Sequence, residues 1–238
     1  MKKAIIIGAS SGIGKGLAKI LAANNYVVGI SGRRIELLEE LKSQNPNSYF
    51  TKAIDITDTK TIVENLCTLA EEIGGLDLLI ISSGTGDLNE SLDFEIEKRT
   101  IDTNVTGFTS VADWAFKYFE NQKSGHLVAI SSVAGLRGSR IAPSYNASKS
   151  YQIKYLEGLR QKAKKLNQNI FVTDVRPGSV DTDMAKGEGK FWVAKVDKAA
   201  QQIFAAIQKK KRIVYVTKRW QLVAVILKIM PAIIYDRM

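Results

Sequence analysis

Tyr145 and Lys149 stand four residues apart in Tyr145-Asn-Ala-Ser-Lys149, where a helical pattern begins. Residues four apart on a helix share a face, so the phenol and the ammonium can point into one cleft. The apolar run Leu127 to Ile130 just upstream reads as a buried strand, and a hydroxyl at its tip, Ser131 or Ser132, can meet them there. A free tyrosine titrates near about 10, too high for ready proton exchange at neutral pH. A cation roughly 4 Å away, at an effective dielectric near 20, favours the phenolate by about 4 kcal/mol. That bounds the fall in pKa at roughly 3 units, which lets Tyr145 act as acid or base near pH 7. The serine would hydrogen-bond a substrate oxygen where charge develops. Chance alone puts many such pairs on helices, so the rest of the chain decides what this one means.

A second group could hold a phosphate-bearing ligand. Ala4 to Ile7 is an apolar run; then come Gly8-Ala-Ser10-Ser11-Gly12-Ile13-Gly14 and Leu17, Ile20 and Leu21 at helical spacing. A strand, a glycine loop and a helix N-terminus form an anion cradle. The spacing differs from G-x-G-x-x-G, and no Gly-Lys-Ser/Thr follows as in a P-loop. The second strand, Tyr26 to Ile30, ends in Ser31-Gly32-Arg33-Arg34, without an acid. An acid here would hold the ribose 2′-hydroxyl of NAD, whereas arginine accommodates the 2′-phosphate of NADP. Two guanidiniums beside a serine therefore point to NADP(H) in preference to NAD(H).

The chain has 238 residues and four prolines, with 45% hydrophobic residues, as in a compact soluble protein. One cysteine, Cys67, excludes an internal disulfide, and one histidine, His126, excludes a multi-histidine metal site; no zinc-ligand cluster exists. Cys67 reads as a core residue and His126, before a strand, as a surface one. Met1-Lys-Lys leads into a short strand rather than a signal peptide, so a cytoplasmic location is expected. The net charge of +10 is spread over helices and gathered at Lys209–Arg212 and Lys218-Arg219. Charge alone is a weak argument for nucleic acid, and none is expected as a partner.

Elements must bring the two groups together. Further strands are expected at Tyr49–Ile54, Leu76–Ile81, Gly125–Ser131, Asn169–Val175 and Ile213–Thr217. Helices are expected from about Thr59 to Ile73 with Asp58 as N-cap, from Phe94 through Phe119 with Asn104 in the middle, from Tyr145 to Leu166, and from Val196 to Gln208. This alternation predicts an α/β fold: a single Rossmann-type, doubly wound parallel sheet of about seven strands with helices on both faces. Ligands in such sheets bind at the carboxyl ends of strands. The Gly8 loop, Arg33, Asp55, Gly84, Ser132 and Pro177 all fall at such ends. Asp55 there could accept from an adenine amine.

These motifs together resemble the classical short-chain dehydrogenase/reductases over about residues 3–217. Gly8 to Gly14 is similar to the family's cofactor loop, and Asp55-Ile56 to its adenine contact. Asn104 resembles the helix asparagine that holds a proton-relay water near the lysine. Ser132, thirteen residues before Tyr145, matches the catalytic serine better than Ser131. Pro177, Gly178, Val180 and Thr182 resemble the loop that meets the nicotinamide. The resemblance implies hydride transfer between NADPH and a carbonyl or alcohol substrate, with Tyr145 exchanging the proton, Ser132 polarising the oxygen and Lys149 holding the ribose and lowering the tyrosine pKa. It also implies homodimers or homotetramers paired through the two long helices. One departure is Ser82-Ser83-Gly84-Thr85, where the family has Asn-Asn-Ala-Gly, so the loop loses its stabilising asparagines.

Residues 1–218 make up this catalytic domain, and 219–238 an apolar and basic tail. The apolar run, broken by Lys228 and Pro231, is too short to span a bilayer. Three uses remain open: closing the substrate cleft or a subunit interface, lying peripherally on a membrane through Trp220, Lys218 and Arg219, or ordinary core packing. Gly187-Glu-Gly-Lys-Phe-Trp192 reads as a substrate lid, and with Val193 and the tail it suggests a hydrophobic substrate. The alternative to a carbonyl reductase is a non-catalytic NADP-binding regulator or scaffold, which need not keep Asn104, Ser132, Tyr145 and Lys149 together. A methyltransferase on a similar fold would leave the tyrosine–lysine pair idle.

Overall fold

The computed structural model describes residues 1–182 and 191–237. Each apolar run becomes a strand: β1 (Lys2–Ile7), β2 (Tyr26–Gly32), β3 (Tyr49–Ala53), β4 (Leu78–Ile81), β5 (Ser124–Ile130), β6 (Asn169–Pro177) and β7 (Ile213–Val216). They pair in the order β3-β2-β1-β4-β5-β6-β7, and every pairing is parallel. Parallel sheets need cover on both faces, which crossover helices supply. On one face α1 (Gly12–Ala23), α2 (Ile35–Ser43) and α7 (Val196–Gln208) bury Leu17, Leu38 and Ile203 over Ile6, Ile30 and Val128. On the other, α3 (Ile62–Glu72), α5 (Phe108–Gln122) and α6 (Pro143–Leu166) bury Leu66, Phe116 and Leu156 over Ile5, Leu79 and Leu127. Chain direction across the sheet reverses between β1 and β4, and the crevice at their carboxyl ends is where such folds take ligands.

Three expectations change. The helix drawn from Phe94 to Phe119 is α4 (Phe94–Ile101), a π-helical turn (Asp102–Gly107) and then α5. Asn104 sits in that turn, fully buried. Gly107, at its end, lies so close to the loop after β3 that a Cβ there would fall 2.2 Å from the Ile56 carbonyl oxygen. Asp58 is not an N-cap: α3 starts at Ile62, and the Asp58 carboxylate accepts from the Thr61 hydroxyl at 2.8 Å instead. His126 is not a surface residue. It is buried in β5, its Nε2 paired with Thr173 Oγ1 at 2.8 Å and its ring edge-on to Phe171. Burial, with Lys210 nearby, lowers its pKa to about 4, so it stays neutral at physiological pH. Cys67 is half-buried against the core and lies 3.3 Å from Trp114 Nε1.

After β7 the tail forms α8 (Arg219–Ile229) and α9 (Ala232–Tyr235). Arg137 clasps it, donating from Nε to the Leu227 carbonyl at 2.8 Å and from Nη2 to that of Met230, with its guanidinium 5.1 Å from the Tyr235 ring centroid. Among the described residues, no helix is long and apolar enough to cross a membrane.

Candidate active site

One cavity of about 820 Å³ runs along the carboxyl ends of the strands. Ser10–Ile13, Arg33, Arg34, Asp55 and Ile56 line one end; Ser132, Tyr145 and Lys149 lie midway; Phe191, Trp220 and Leu227 line the other.

The first end is built from backbone. The N–H groups of Gly8 and Ala9 both donate to the Ser31 carbonyl at 2.9 Å, which sets the turn after β1. Gly8 has φ +89°, and a Cβ on it would meet Ser83 N at 2.6 Å. A Cβ on Gly14 would lie 2.0 Å from the Gly8 oxygen. Glycine is thus required where α1 crosses the loop. Ser11 caps α1 without using its side chain, and the first turn carries no acid, so free N–H groups and the helix dipole suit a phosphate. Arg34 Nη2 donates to Ser10 Oγ and Ser11 Oγ, each at 3.0 Å. Arg33 lines the same end. The serine expected beside the guanidiniums, Ser31, faces the sheet instead: it is fully buried and its hydroxyl lies 3.3 Å from the Ile6 carbonyl. Ser10 and Ser11 take its place. Asp55 lines the cavity, but one carboxylate oxygen holds the Thr57 N–H at 2.9 Å and hydroxyl at 2.8 Å.

The loop after β4 lacks the family's asparagines, yet it is clamped. Asn104 Oδ1 accepts from Thr85 N–H at 2.9 Å, and its Nδ2 donates to the Thr85 carbonyl at 2.7 Å and to Ser148 Oγ at 3.0 Å. Asn104 was expected to hold a water near the lysine. Its side chain supports the Gly84 loop, and its carbonyl accepts from Gln152 Nε2 at 2.9 Å. Next along the loop, Gly86 makes room for the reacting group: a Cβ there would be 2.4 Å from Tyr145 Cδ2. Gly86 and Gln152 were missed in the sequence because neither belongs to a spaced motif.

The two candidate serines separate by geometry. Ser131 Oγ donates to Asp174, and lies 3.1 Å from the Val175 carbonyl, inside the sheet. Asp174 is also paired with Arg176 at 2.6 Å. Ser132 instead faces the cavity, capping a 3-10 turn (Val133–Leu136) by accepting from Ala134 N–H at 3.1 Å. Burial raises the Tyr145 pKa, and a hydrogen bond with Ser132 partly lowers it. The Tyr145 pKa thus stands above its ordinary value, where a fall is expected from the sequence. The Lys149 ammonium lies 5.9 Å from the ring centroid, and it donates to the Ile130 carbonyl at 3.0 Å and to Gln152 Oε1 at 2.9 Å. Burial lowers the Lys149 pKa to about 8, against the pull of Asp174.

Pro177, Gly178, Val180 and Thr182 line the cavity as expected from the sequence. Thr182 reaches the α1 loop, where its Cγ2 would be 3.1 Å from a Cβ on Gly12. Gly178 also serves the tail, since a Cβ there would overlap the Trp220 ring at 1.9 Å. Trp220 stacks on Phe191 with centroids 4.9 Å apart. The expected lid falls in part on residues 187–190, outside the described residues. Of the tail's three expected uses, closing the cleft is the one its inner face displays, through Trp220 and Leu227.

A nicotinamide dinucleotide fits this site on two observations. The cavity reaches from the guanidiniums to Tyr145, and Ser83 Oγ is buried on its wall without a hydrogen-bond partner among the described residues.

The sequence matches the family described as short chain dehydrogenase over residues 2–191. An uncharacterized oxidoreductase of Myxococcus xanthus is 34% identical over 188 residues, 77% of this chain and 74% of that protein. One from Mycobacterium tuberculosis is 31% identical over 217 residues, 87% of this chain and 85% of that protein. Among solved structures, a short chain dehydrogenase from Burkholderia cenocepacia in complex with NADP superposes with a TM-score of 0.84 at 23% identity, covering 100% of this chain and 98% of that one. The 3-ketoacyl-(acyl-carrier-protein) reductase of Brucella melitensis, complexed with NADH, gives 0.80 at 20% identity, covering 90% of this chain and 96% of that one.

Proposed function

This chain belongs to the short-chain dehydrogenase family of oxidoreductases, and we propose that it is an NADP(H)-dependent carbonyl reductase or alcohol dehydrogenase acting on a hydrophobic ketone, aldehyde or secondary alcohol. One observation carries this reading: a single cavity has two guanidiniums at one end, Ser132, Tyr145 and Lys149 midway and apolar side chains at the other. Bound NADPH supplies the hydride in reduction, and NADP+ accepts it in oxidation. Ser10 to Ile13, Arg33, Arg34, Asp55 and Ile56 would hold the adenosine and phosphates. Ser83, Gly84, Pro177, Gly178, Val180, Thr182 and Lys149 would hold the nicotinamide half. A buried phenol with a raised pKa is protonated at pH 7, so Tyr145 enters reduction as the acid. Ser132 hydrogen-bonds the substrate oxygen as charge builds there. The Lys149 cation stabilises the phenolate that remains.

The test pairs turnover with binding. Tyr145→Phe is expected to lower NADPH-dependent reduction of a ketone and aldehyde panel by at least about 100-fold while calorimetry finds NADPH still bound. The native chain is expected to bind NADPH roughly 10- to 150-fold tighter than NADH, the effect of one charge-assisted phosphate contact. NADPH binding without turnover in the native chain would favour the regulator reading; equal affinities would remove the role of Arg33 and Arg34.

The outer face of α8 and α9 extends the reading to partners. Leu222, Val225, Ile226, Ile229, Ile233 and Ile234 are exposed there, opposite the face that carries Trp220 and Leu227. Lys218, Arg219, Lys228 and Arg237 accompany them, with Asp236 as the one acid from 218 to 237. Pairing two copies of this face would bring like charges together, whereas an anionic lipid surface complements it. The native chain should co-sediment with anionic vesicles, and Ile226→Gln/Ile229→Gln should not; a native chain left in the supernatant overturns the membrane contact. Homodimers or homotetramers through α4, α5 and α6 belong to the same reading, with Phe94 and Ile101 exposed on α4.

A further inference from the structure

Gln152 lies three residues beyond Lys149 on α6 and is only 1% exposed. Its side chain bridges two elements. Oε1 accepts from Lys149 Nζ at 2.9 Å, and Nε2 donates to the Asn104 carbonyl at 2.9 Å. That carbonyl is available because of the π-helical turn. The Phe108 N–H reaches back to the Thr103 carbonyl and the next N–H, that of Thr109, to the Val105 carbonyl, so the Asn104 carbonyl between them is passed over. An ordinary α-helix would have spent the Asn104 carbonyl on the Phe108 N–H. Widened turns of this kind recur at functional sites.

We propose that Gln152 is a positioning residue that aims the Lys149 ammonium and holds it in its charged form by tying it to the carbonyl freed in the π-helical turn. With the Ile130 carbonyl taking a second N–H, two of the three ammonium donors are fixed and one remains for the cavity. An acceptor bonded to the charged form of a group favours that form. Here it opposes the burial that lowers the Lys149 pKa. A side-chain amide accepts at oxygen and donates at nitrogen. The bridge from Lys149 to Asn104 therefore fixes a charge, and a proton does not pass along it as it would along a water. The other groups facing Lys149 are Tyr145 on its own helix and Asp174 on β6, whose carboxylate is already engaged by Arg176 and Ser131. The inference rests on the reading of Lys149 as part of the reacting group, and its test separates the two.

The experiment follows Lys149 itself in the full-length chain, by the pH titration of its 13Cε signal, assigned with Lys149→Arg. Gln152→Met removes the acceptor at similar length; Gln152→Glu replaces it with an anion of the same shape. The titration midpoint is expected to fall by about one unit in the first and rise by about one in the second. A merely structural glutamine would not produce opposite shifts. Because the cation is the working form, activity is lost as pH rises through the lysine pKa, so the alkaline limb of NADPH-dependent turnover should move down in Gln152→Met and up in Gln152→Glu. Unmoved or parallel midpoints overturn the proposal, and the isosteric Glu variant decides it if the Met variant does not fold. Opposite midpoints with an unmoved alkaline limb would uphold the bridge and overturn the catalytic reading of Lys149.

Discussion

The two ends of the cleft are made of different material. The cofactor end is backbone: loop N–H groups gathered on the Ser31 carbonyl, and glycines at positions 8 and 14 whose missing side chains let a helix cross a loop at contact distance. The substrate end is side chain. Phe191 comes from the loop before α7 and Trp220 and Leu227 from α8, and Arg137 holds α8 in place across 90 residues. Backbone geometry at a strand–helix junction is short-range, so seven consecutive residues can encode it. A wall of aromatic and aliphatic side chains is long-range, and any apolar segment of the right bulk could supply it. The first end therefore tolerates almost no substitution, whereas the second can be recut for new substrates.

The largest effect should come from breaking the backbone end. In Gly14→Ala the new methyl carbon would stand 2.0 Å from the Gly8 oxygen, against main chain that cannot rotate away. The loop must shift by the order of an ångström, and misplacement on that scale costs about 100-fold. Calorimetry should find NADPH affinity lowered at least that much. A Gly14→Ala chain with native affinity would show that the cofactor end is as plastic as the substrate end, and the contrast would fall.

The same contrast explains what was legible in the sequence. Ala4–Ile7, the glycine loop and the Tyr145–Lys149 spacing are local patterns, and each lands where its period or spacing puts it. The parallel sheet followed from strands alternating with helices. Features that depend on packing were not readable. A polar residue opening a strand looks solvated, so His126 gave no sign that Thr173 and Phe171 would enclose it. Asp58 has the right chemistry for a cap, but the helix begins four residues later, at Ile62. The π-helical turn leaves no periodic mark, because Asp102 to Gly107 differ from an α-helix by one hydrogen-bond step. Gln152 belongs to no spaced motif, and its role shows only once Asn104 is brought beside it. Lys149 shares a face with Tyr145 as its spacing requires, yet the sequence could not tell that its ammonium would bond to Ile130 and Gln152.

A smaller and more selective effect should follow from cutting the side-chain end. Trp220 is 7% exposed, packs on the bare backbone of Gly178 and stacks on Phe191. Trp220→Ala removes most of that wall. Burial of a tryptophan this complete makes the loss about 3 kcal/mol of folding stability, read by urea unfolding. In the folded fraction, KM for apolar ketones should rise roughly tenfold, equivalent to about 1.4 kcal/mol of lost contact, with KM for small polar ketones nearly unchanged. NADPH affinity should stay close to native, because the indole packs against Phe191, Trp192 and Gly178. Gly178 belongs to both ends, so it is where the effect would leak. If NADPH affinity falls in Trp220→Ala as far as KM rises, the tail braces the nicotinamide loop through Gly178. The two ends would then be one mechanical body, and changing the substrate wall would carry a cost in cofactor binding.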